Sequence, residues 1–583
     1  MKIAEMIVRQ AAPYEAVAFD VFDTLLKRDV GKPTDLFLLR GKEFAAARTE
    51  AEQQARAAQP GEITLSQIYE RPCLAGYDPA DECGLELAAA VPNLPVLQAV
   101  QELRRQGKRL YYISDMYLPP EQVATMLALC GYGRFDGGFV SCLYGVQKRS
   151  GALFRRFLHE TGLKAGQVLF VGDSWRADVA GAALAGIHAL HLPDPKALGC
   201  TPLPHDAVTG AAYAFASNRQ QTGKNAAESL GFEVLGPLVI SFCKWLHQRR
   251  GACTQGRVFF LARDMYLIRA VYALLYPEEV TFYLQVSRRS LCPALLAQKD
   301  WRLLIQALPR QVLSGAQIAA YCSASCPAMY VRRRYDLKTS QGSEAVRPLL
   351  KGLQPPPDGM LALDYLRRSG LRDGDLLVDI GSGGTTQLLL ESLCGITLHG
   401  LQFSGDERLR QRFTRHRAEV FFHPTDRQAI LYWAGQPMLE RFLSEDVGAT
   451  LGYVQQGNGI AVRCAPQQKQ PLVAALQRGA LQYAQAWRDS VLRDLALPAA
   501  DAVAPFLQLV GKPAPWQVRL LGSLTVEDGG TYPLAAPAPL AKYLARPGAA
   551  KQDFARSRWK IGFLKQLLPW PLPYDRLYLA MKK

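Results

Sequence analysis

The stretch AVAFDVFDTLL, residues 16–26, places a carboxylate directly after a short apolar run. Four apolar or small residues lead into Asp20, and Thr24 and two leucines follow it. The pattern predicts a buried strand that ends in an acid and is followed by a turn. Open α/β sheets bind their ligands at the carboxyl ends of such strands. Asp20 is therefore a candidate for an acid that faces a ligand.

Two later segments have the same arrangement. RLYYI, residues 109–113, predicts a strand that ends at Ser114, and a helix follows at once. A hydroxyl between a parallel strand and a helix start is well placed to bind a phosphate oxygen. The strand at 168–171 leads into GDSWRAD, whose Asp173 and Asp178 could converge on a hard cation such as Mg²⁺. An ordinary turn would explain either segment as well.

Lys148 stands just before a predicted helix, SGALFRRFLHE. A positive charge is unfavourable at a helix start, where the helix dipole is itself positive. Lys148 therefore indicates that an anion lies nearby.

The order of these motifs is more specific than any one of them. Asp20 with Thr24, then Ser114, Lys148 and GDSWRAD resembles the four-motif signature of the haloacid dehalogenase (HAD) superfamily over residues 14–195. The resemblance implies that Asp20 is a nucleophile that forms an aspartyl-phosphate. It also implies that Ser114 holds the transferring phosphoryl group and that Lys148 neutralises charge beside it.

The same resemblance implies a Mg²⁺ site. Its ligands would be Asp20, Asp173, Asp178 and the backbone carbonyl of Phe22. Mg²⁺ and a lysine stabilise the phosphoryl oxygens as phosphoryl transfer requires.

Phe22 departs from the family pattern. HAD phosphatases carry a second Asp at that position as general acid and base, whereas here the next acid is Asp23. General acid–base catalysis contributes roughly 10²- to 10⁴-fold, so we expect a slow phosphatase or a substrate with an easy leaving group. HAD dehalogenases also lack this acid, but they do not need the Asp173 and Asp178 pair, which makes dehalogenation the less favoured alternative.

The chain is too long, at 583 residues, for a single hydrophobic core. We predict an α/β HAD-type Rossmannoid parallel sheet with a helical cap insertion, then a second α/β Rossmann-like domain and a helical C-terminal region. The predicted boundaries are 1–195 for the HAD-like domain, with the cap at about 29–95, then a linker at 196–228, the second domain at 229–465 and the Pro-rich C-terminal region at 466–583. A plain helical subdomain without a role in substrate choice is the alternative to a cap.

Basic side chains follow two predicted strands of the second domain. VFFLA leads into Arg263 and Asp264, and TFYLQV leads to Arg288 and Arg289. Arginine matches phosphate geometry, which favours phosphate binding here. Ordinary ion pairing is the alternative.

A glycine-rich loop follows another strand of that domain. LLVDIGSGGTTQ, residues 376–387, places Asp379 near the strand end and Gly381 and Thr385 before a helix, a candidate anion cradle. The loop resembles that of methyltransferases, with Thr385 where their third glycine belongs, and more faintly the phosphate loop of phosphoribosyltransferases. A tight strand-to-helix turn would also explain the glycines. LHGLQF is the last strand predicted in this domain.

A wider resemblance covers residues 14–455. FDVFDTLLKR, FLARDMYLI, VSRRSL and VDIGSGGTTQ together resemble a large bacterial HAD-like family that is often encoded beside glycosyltransferases in surface-polysaccharide loci. The resemblance implies a cytoplasmic role, a phosphorylated small-molecule or glycan substrate, and partners from the glycosyltransferase pathway. Met265 replaces the family's usual Gly and Ser382 its usual aromatic, which leaves the second domain's ligand open.

The formal net charge of +16 favours an anionic partner. Because the basic residues are dispersed, we predict no dedicated nucleic-acid-binding domain. The tail at 557–583 mixes Trp559, Phe563 and Trp570 with lysines, a blend that suits the inner face of an anionic membrane. Prolines interrupt any long helix there, so docking of the tail on the protein's own body is the favoured alternative. The chain opens without a signal-peptide pattern, and we expect a cytoplasmic protein.

Two functions of different classes compete. The first is a Mg²⁺-dependent phosphohydrolase or phosphoryl transferase acting on a phosphorylated sugar or nucleotide sugar, which Lys148, Asp173 and Asp178 favour. The second is a catalytically weak HAD scaffold that binds glycan-pathway proteins, which Phe22 favours. A third assigns transferase chemistry to the loop at Gly381.

Overall fold

The computed structural model describes residues 3–59, 61–192, 206–219, 225–252, 256–467, 469–527 and 530–582. The chain divides into two units, residues 1–225 with 486–497, and residues 226–485 with 498–583. Each unit contains one five-stranded parallel sheet.

The sheet of the first unit is the Rossmannoid sheet that the sequence predicts. Its strands are β1 (Ala16–Phe19), β2 (Arg109–Ser114), β3 (Gly137–Val140), β4 (Val168–Gly172) and β5 (His188–His191). They lie in the order β3-β2-β1-β4-β5 and are all parallel. All four residues of β1 are buried, as expected for the central strand of a covered parallel sheet. The carboxyl ends of β1, β2 and β4 therefore meet at one edge.

Helices accompany this sheet. They are Ile3–Ala11, Leu94–Arg105, Pro120–Leu129, Ser141–Tyr144, Ala152–Thr161, Gly181–Ala183 and Ala207–Asn218, with 3-10 turns at Lys148–Ser150 and Ala165–Gln167 and a π-helical turn at Trp175–Ala180.

A helical insertion follows β1 within the range predicted for a cap. It contains Pro33–Arg40, Lys42–Ala58, Leu65–Tyr69, Pro72–Leu74 and Pro79–Ala89, and the antiparallel strands Leu26–Arg28 and Ala90–Pro92 join its two ends. Its centre is a buried ion pair in which Arg48 donates to both oxygens of Glu82, at 2.5 and 2.8 Å. Both side chains are 0% exposed. Arg48 also donates to Glu52 at 3.0 Å, and the Tyr69 hydroxyl donates to Glu82 at 3.0 Å.

Replacing Glu82 with Gln should remove the fully buried counter-charge of the Arg48 guanidinium and leave only half-buried Glu52 as its acidic partner. Breaking a buried ion pair from one side costs about 3–5 kcal/mol, so we expect E82Q to lower the free energy of unfolding by that order in urea denaturation. The double variant R48M/E82L should recover most of the lost stability. E50Q, at an exposed position on the helix that contains Arg48, should change the free energy of unfolding little. An E82Q protein as stable as the wild type would contradict the assignment.

The range predicted as a linker is helical in part. Residues 193–205 and 220–224 lie outside the described residues, but Ala207–Asn218 is a helix of the first unit. Arg219 pairs with buried Asp29 at 2.6 Å, and a Cβ on Gly31 would lie 3.0 Å from Cα of Gly210. The small residues that suggest irregular chain instead allow this helix to pack closely.

The sheet of the second unit contains β6 (Val258–Leu261), β7 (Thr281–Leu284), β8 (Leu376–Ser382), β9 (His399–Gly405) and β10 (Ala418–Phe422). The order is β10-β9-β8-β6-β7, again all parallel. LHGLQF forms β9 and is not the last strand, so that prediction is wrong. AEVFF forms the edge strand β10. Its acidic Glu419 interrupts the apolar run, and in the structure this carboxylate pairs with Arg249 at 2.9 Å and with His399 at 3.1 Å.

The elements after residue 225 include many helices besides the sheet. They are Ala226–Leu230, Gly231–Leu235 (π-helical), Gly236–Ala252, Tyr266–Leu275, Arg288–Ala297, Trp301–Ala307, Gly315–Tyr321, Ala328–Tyr330, Ser340–Ala345, Arg347–Gly352, Leu361–Ser369, Thr385–Cys394, Glu407–Arg412, Asp426–Leu443, Pro471–Arg488, Ala499–Gly511, Pro515–Leu521, Leu540–Ala545, Pro547–Arg556, Lys560–Leu567 and Tyr574–Lys582. Antiparallel strand pairs are Val312–Ser314 with Arg334–Asp336, Thr450–Gln456 with Gly459–Cys464, and Thr525–Glu527 with Thr531–Pro533.

The described part of the tail, residues 557–582, packs on the protein through its aromatic side chains. Trp559 is 1% exposed and donates its indole N–H to the Val510 carbonyl at 2.9 Å. Phe563 and Tyr578 are also buried, whereas Trp570 is exposed. Among the described residues one helical stretch, Ala226–Gly251, has the length and mean hydropathy of a membrane span, and 83% of its apolar 18-residue window is buried inside the protein, as in a core helix.

Glu233 is buried in the π-helical turn Gly231–Leu235, and its Oε1 has no hydrogen-bond partner among the described residues. Burial raises its pKa from 4.5 to about 8. The Glu233 carboxyl group loses its proton near pH 4.5 in the unfolded chain and near pH 8 in the folded chain. The residue therefore lowers the free energy of unfolding progressively as the pH rises between these two values.

Substituting Glu233 with Gln should therefore stabilise the protein in a pH-dependent way. Each pKa unit corresponds to about 1.4 kcal/mol, so the gain of E233Q should be small at pH 5, grow towards pH 8 and then level off. Thermal unfolding of both proteins across this range measures it, with E278Q at an exposed position as control. A gain that does not change with pH would show that Glu233 is ionised in the folded protein.

Candidate active site

Asp20 lies directly after β1 and is 6% exposed. Its backbone N–H donates to the Val171 carbonyl at 2.9 Å, which fixes it against β4. Its Oδ1 accepts a hydrogen bond from Nζ of Lys148. Burial raises the pKa of Asp20, Asp178 adds to the rise, and Lys148 opposes it. The site therefore holds a carboxylate that has lost most of its hydration.

Lys148 joins two of the predicted acids. Its Nζ also donates to Oδ1 of Asp178 at 2.6 Å, and its side chain is 4% exposed. Asp20 and Asp178 raise the pKa of Lys148 against the opposing effect of burial, so the side chain is an ammonium. The lysine, whose charge is unfavourable at a helix start, thus faces two carboxylates.

Asp173 and Asp178 lie after β4, on the loop and helical turn that the GDSWRAD motif forms. Asp178 accepts from the Ser174 N–H at 2.8 Å, and Asp173 accepts from the Thr24 hydroxyl at 3.0 Å. One carboxylate oxygen each from Asp20, Asp173 and Asp178 lies within 4.8 Å of the others. A set of oxygen donors with this charge fits a hard divalent cation such as Mg²⁺.

Ser114 ends β2 and is 1% exposed. Its hydroxyl has no hydrogen-bond partner among the described residues. An unsatisfied buried polar group costs about 1–3 kcal/mol, so the hydroxyl is suited to a ligand that supplies an acceptor, such as a phosphate oxygen.

The S114A variant should be as stable as the wild type or more stable, because no hydrogen bond is lost. The matched control is S141A, since the Ser141 hydroxyl accepts from the Met116 N–H at 2.9 Å and donates to Glu62 at 3.2 Å. Loss of such bonds costs about 0.5–1.5 kcal/mol each, so S141A should melt earlier. If S114A were the less stable of the two in thermal unfolding, Ser114 would be a structural residue.

Phe22 lies in the turn after β1, and its ring centroid is 4.0 Å from the Arg28 guanidinium. Arg28 in turn pairs with Glu86 at 2.8 Å. Asp23 has a φ of 63° and is exposed, and its charge helps to raise the pKa of Asp173. Position 22 therefore offers a packed aromatic ring in place of a proton donor.

Two acids that the sequence prediction missed lie on the segment around Lys148. Asp115 accepts from the Lys148 backbone N–H at 2.9 Å, and burial raises its pKa. Glu62, from the helical insertion, is buried and accepts from Gln147 at 3.1 Å and from Arg56 at 2.9 Å. Asp115 was visible as the residue after Ser114. A single acid before a short helix gave no signal for Glu62, because Gln147 is distant in sequence.

The second unit brings together four of its predicted residues. Arg263, Asp264, Arg288 and Asp379 line one cavity at the carboxyl ends of β6 and β8. Burial, together with the charge of Asp264, raises the pKa of Asp379 to about 6. The Arg263 guanidinium already has an acidic partner, because it donates to Glu527 at 2.8 Å.

The other three predicted residues of this unit have different surroundings. Arg289 donates to the Ala320 carbonyl at 3.4 Å, and Thr385 accepts from Arg412 at 2.7 Å. Gly381 has a φ of 82°, and a Cβ there would lie 2.0 Å from the Ser404 carbonyl oxygen. This glycine is therefore required by the close approach of β9.

Residues 14–186 match the family model of haloacid dehalogenase-like hydrolases. Similar solved structures include a HAD phosphatase from Thermococcus onnurineus, at 17% identity over 32% of this chain and 88% of that chain, with a TM-score of 0.26. L-2-haloacid dehalogenase from Xanthobacter autotrophicus is similar at 19% identity over 31% and 77%, with a TM-score of 0.25. No curated protein matches the chain. The matched range contains strands β1 to β4 and all five of the residues Asp20, Ser114, Lys148, Asp173 and Asp178.

Proposed function

We propose that this protein is a Mg²⁺-dependent phosphohydrolase or phosphoryl transferase that acts on a phosphorylated sugar or nucleotide sugar in bacterial surface-polysaccharide biosynthesis in the cytoplasm. The observation that carries the proposal is the convergence of Asp20, Asp173 and Asp178 around Lys148. The unsatisfied hydroxyl of Ser114 supports it.

The chain's own residues supply the main steps. Because Oδ1 of Asp20 is held by Lys148, its second carboxylate oxygen is available to attack phosphorus. The attack breaks the bond to the leaving group and forms an aspartyl-phosphate, which water then hydrolyses or an acceptor takes over. Lys148 reduces the repulsion between Asp20 and the phosphate, and Ser114 donates to a phosphoryl oxygen.

Mg²⁺, held by Asp20, Asp173, Asp178 and the Phe22 carbonyl, would supply positive charge to the phosphoryl oxygens as negative charge develops. The residues fit such an ion, since three carboxylates share one ammonium. The Thr24 hydroxyl fixes the orientation of Asp173.

Phe22 limits the substrates. Without an acid at this position the leaving group must depart without a proton, and general acid catalysis is worth roughly 10²- to 10⁴-fold. We therefore favour sugar-1-phosphates, acyl phosphates and diphosphates, whose leaving groups are weakly basic. The same residue favours the second candidate function, a catalytically weak scaffold for glycosyltransferase-pathway proteins.

A phosphatase screen over sugar phosphates, nucleoside diphosphate sugars and acyl phosphates tests the proposal. We expect turnover that requires Mg²⁺, stops with EDTA and falls to background in D20N, because the nucleophile is lost. D23N is the matched control, since it removes an exposed carboxylate three residues away and should retain activity. Loss of activity in D23N would make Asp23 the proton donor.

The outcome that would contradict the enzyme proposal is equal inactivity of wild type and D20N on the whole panel, together with co-purification of the same glycan-pathway protein by both.

A further inference from the structure

The second unit contains a cavity of about 590 Å³ at the carboxyl edge of its sheet. β7 and β8 lie on opposite sides of β6, so the strand order reverses next to the cavity. Open α/β sheets bind ligands at such switch points. The volume is in the range of small-molecule and cofactor sites.

Basic side chains dominate the lining. Five arginines and three acids line the cavity: Arg263, Arg288, Arg310, Arg408, Arg441, Asp264, Glu440 and Glu527. Arg263 and Arg408 have acidic partners in Glu527 and Asp406. Within the described ranges, the guanidinium groups of Arg288 and Arg310 form neither an ion pair nor a hydrogen bond. The wall therefore presents two uncommitted guanidinium groups.

The guanidinium groups are close enough to repel one another. Burial and the charges of Arg408, Arg310 and Arg288 lower the pKa of Arg412, against the effect of Asp406. A concentration of like charge costs free energy that a polyanionic ligand would offset.

A buried arginine gives an independent indication. Arg441 is 6% exposed, and it pairs with Asp446 through Nη2 at 2.6 Å. Its Nε and Nη1 have no hydrogen-bond partner in the part of the chain that the structure describes. Arginine keeps its charge in proteins, so donors left over at a cavity wall call for an acceptor.

The glycine-rich loop brings further positive charge close to these arginines. Arg412 donates to the Gly383 carbonyl at 2.5 Å and to Thr385 at 2.7 Å, at the start of helix Thr385–Cys394. A Cβ on Gly383 would lie 3.2 Å from Nε of Arg408. The positive end of this helix thus lies against the arginines.

Aromatic side chains supply a different kind of surface. Trp433 and Tyr321 also line the cavity, and aromatic faces bind nucleobases by stacking. A ligand that combines a diphosphate with a planar ring would use both parts of the lining.

We propose that this cavity binds a nucleoside diphosphate, free or as the nucleotide part of a nucleotide sugar. The diphosphate contacts Arg288, Arg310 and Arg408, and the base lies against Trp433. This binding site is separate from the Asp20 site and does not depend on the phosphohydrolase activity.

Isothermal titration calorimetry with UDP, GDP and ADP, alongside UDP-glucose, pyrophosphate and uridine, tests the proposal on the full chain. At least one nucleoside diphosphate should bind, and its affinity should fall as salt is raised. R288Q and R310Q should each weaken binding about tenfold or more, because a hydrogen bond between charged groups is lost. R347Q is the matched control, since Arg347 is an exposed arginine paired only with Glu344 among the described residues.

Three further variants and probes separate the explanations. W433L should weaken UDP but leave pyrophosphate unchanged, and D20N should bind as the wild type does, even if the phosphohydrolase proposal fails. If UDP-glucose binds as tightly as UDP, the ligand is the nucleotide sugar. If UDP binds and UDP-glucose does not, the ligand is the free nucleoside diphosphate. Absence of binding by all three diphosphates, binding of pyrophosphate alone, or unchanged affinity in R288Q and R310Q would overturn the proposal.

Discussion

The first unit depends on a single ammonium that lies among buried carboxylates. Lys148 contacts Asp20 and Asp178 directly, and Asp173 completes the acidic group. Removing several charges from water is costly unless they are paired. One ammonium does not neutralise three carboxylates, and burial accordingly raises the pKa of both Asp20 and Asp173. This charge imbalance is the physical reason to expect a divalent cation.

The turn after β1 links this charge group to the cap. Phe22 packs under Arg28, Arg28 pairs with Glu86, and Glu86 is buried in helix Pro79–Ala89. Position 22 therefore has a packing partner of its own. The Phe22 ring thus connects the turn after β1 to the helical insertion, which gives its presence a structural explanation.

The sequence predicted most strands of the two parallel sheets, because their apolar runs follow local rules. AVAF and RLYYI are apolar runs that fill parallel strands, and each ends in its polar residue at the same edge. The edge strand β10 was missed because Glu419 interrupts its apolar run. Helix Ala207–Asn218 was missed because alanine and glycine suggest irregular chain as readily as close packing. Contacts such as Arg48 with Glu82, or the cluster around Arg412, bring together residues far apart in sequence, and no local pattern records them.

The two units place their polar side chains in the same way but differ in the charge of those side chains. In both, polar side chains gather at the carboxyl edge of a parallel sheet, but the first unit collects carboxylates around an ammonium, whereas the second collects guanidinium groups beside aromatic rings. The first arrangement suits a cation and an electrophilic phosphorus, and the second suits a preformed polyanion.

The proposed chemistry requires that Asp20 accept a phosphoryl group. Incubation of the protein with acetyl phosphate and Mg²⁺, reduction with borohydride and sequencing of the peptides by mass spectrometry test this step. An aspartyl-phosphate is converted to homoserine by this reduction, so we expect homoserine at position 20 and no other modified acid. Turnover of acetyl phosphate with position 20 unmodified, or homoserine at another aspartate, would contradict it.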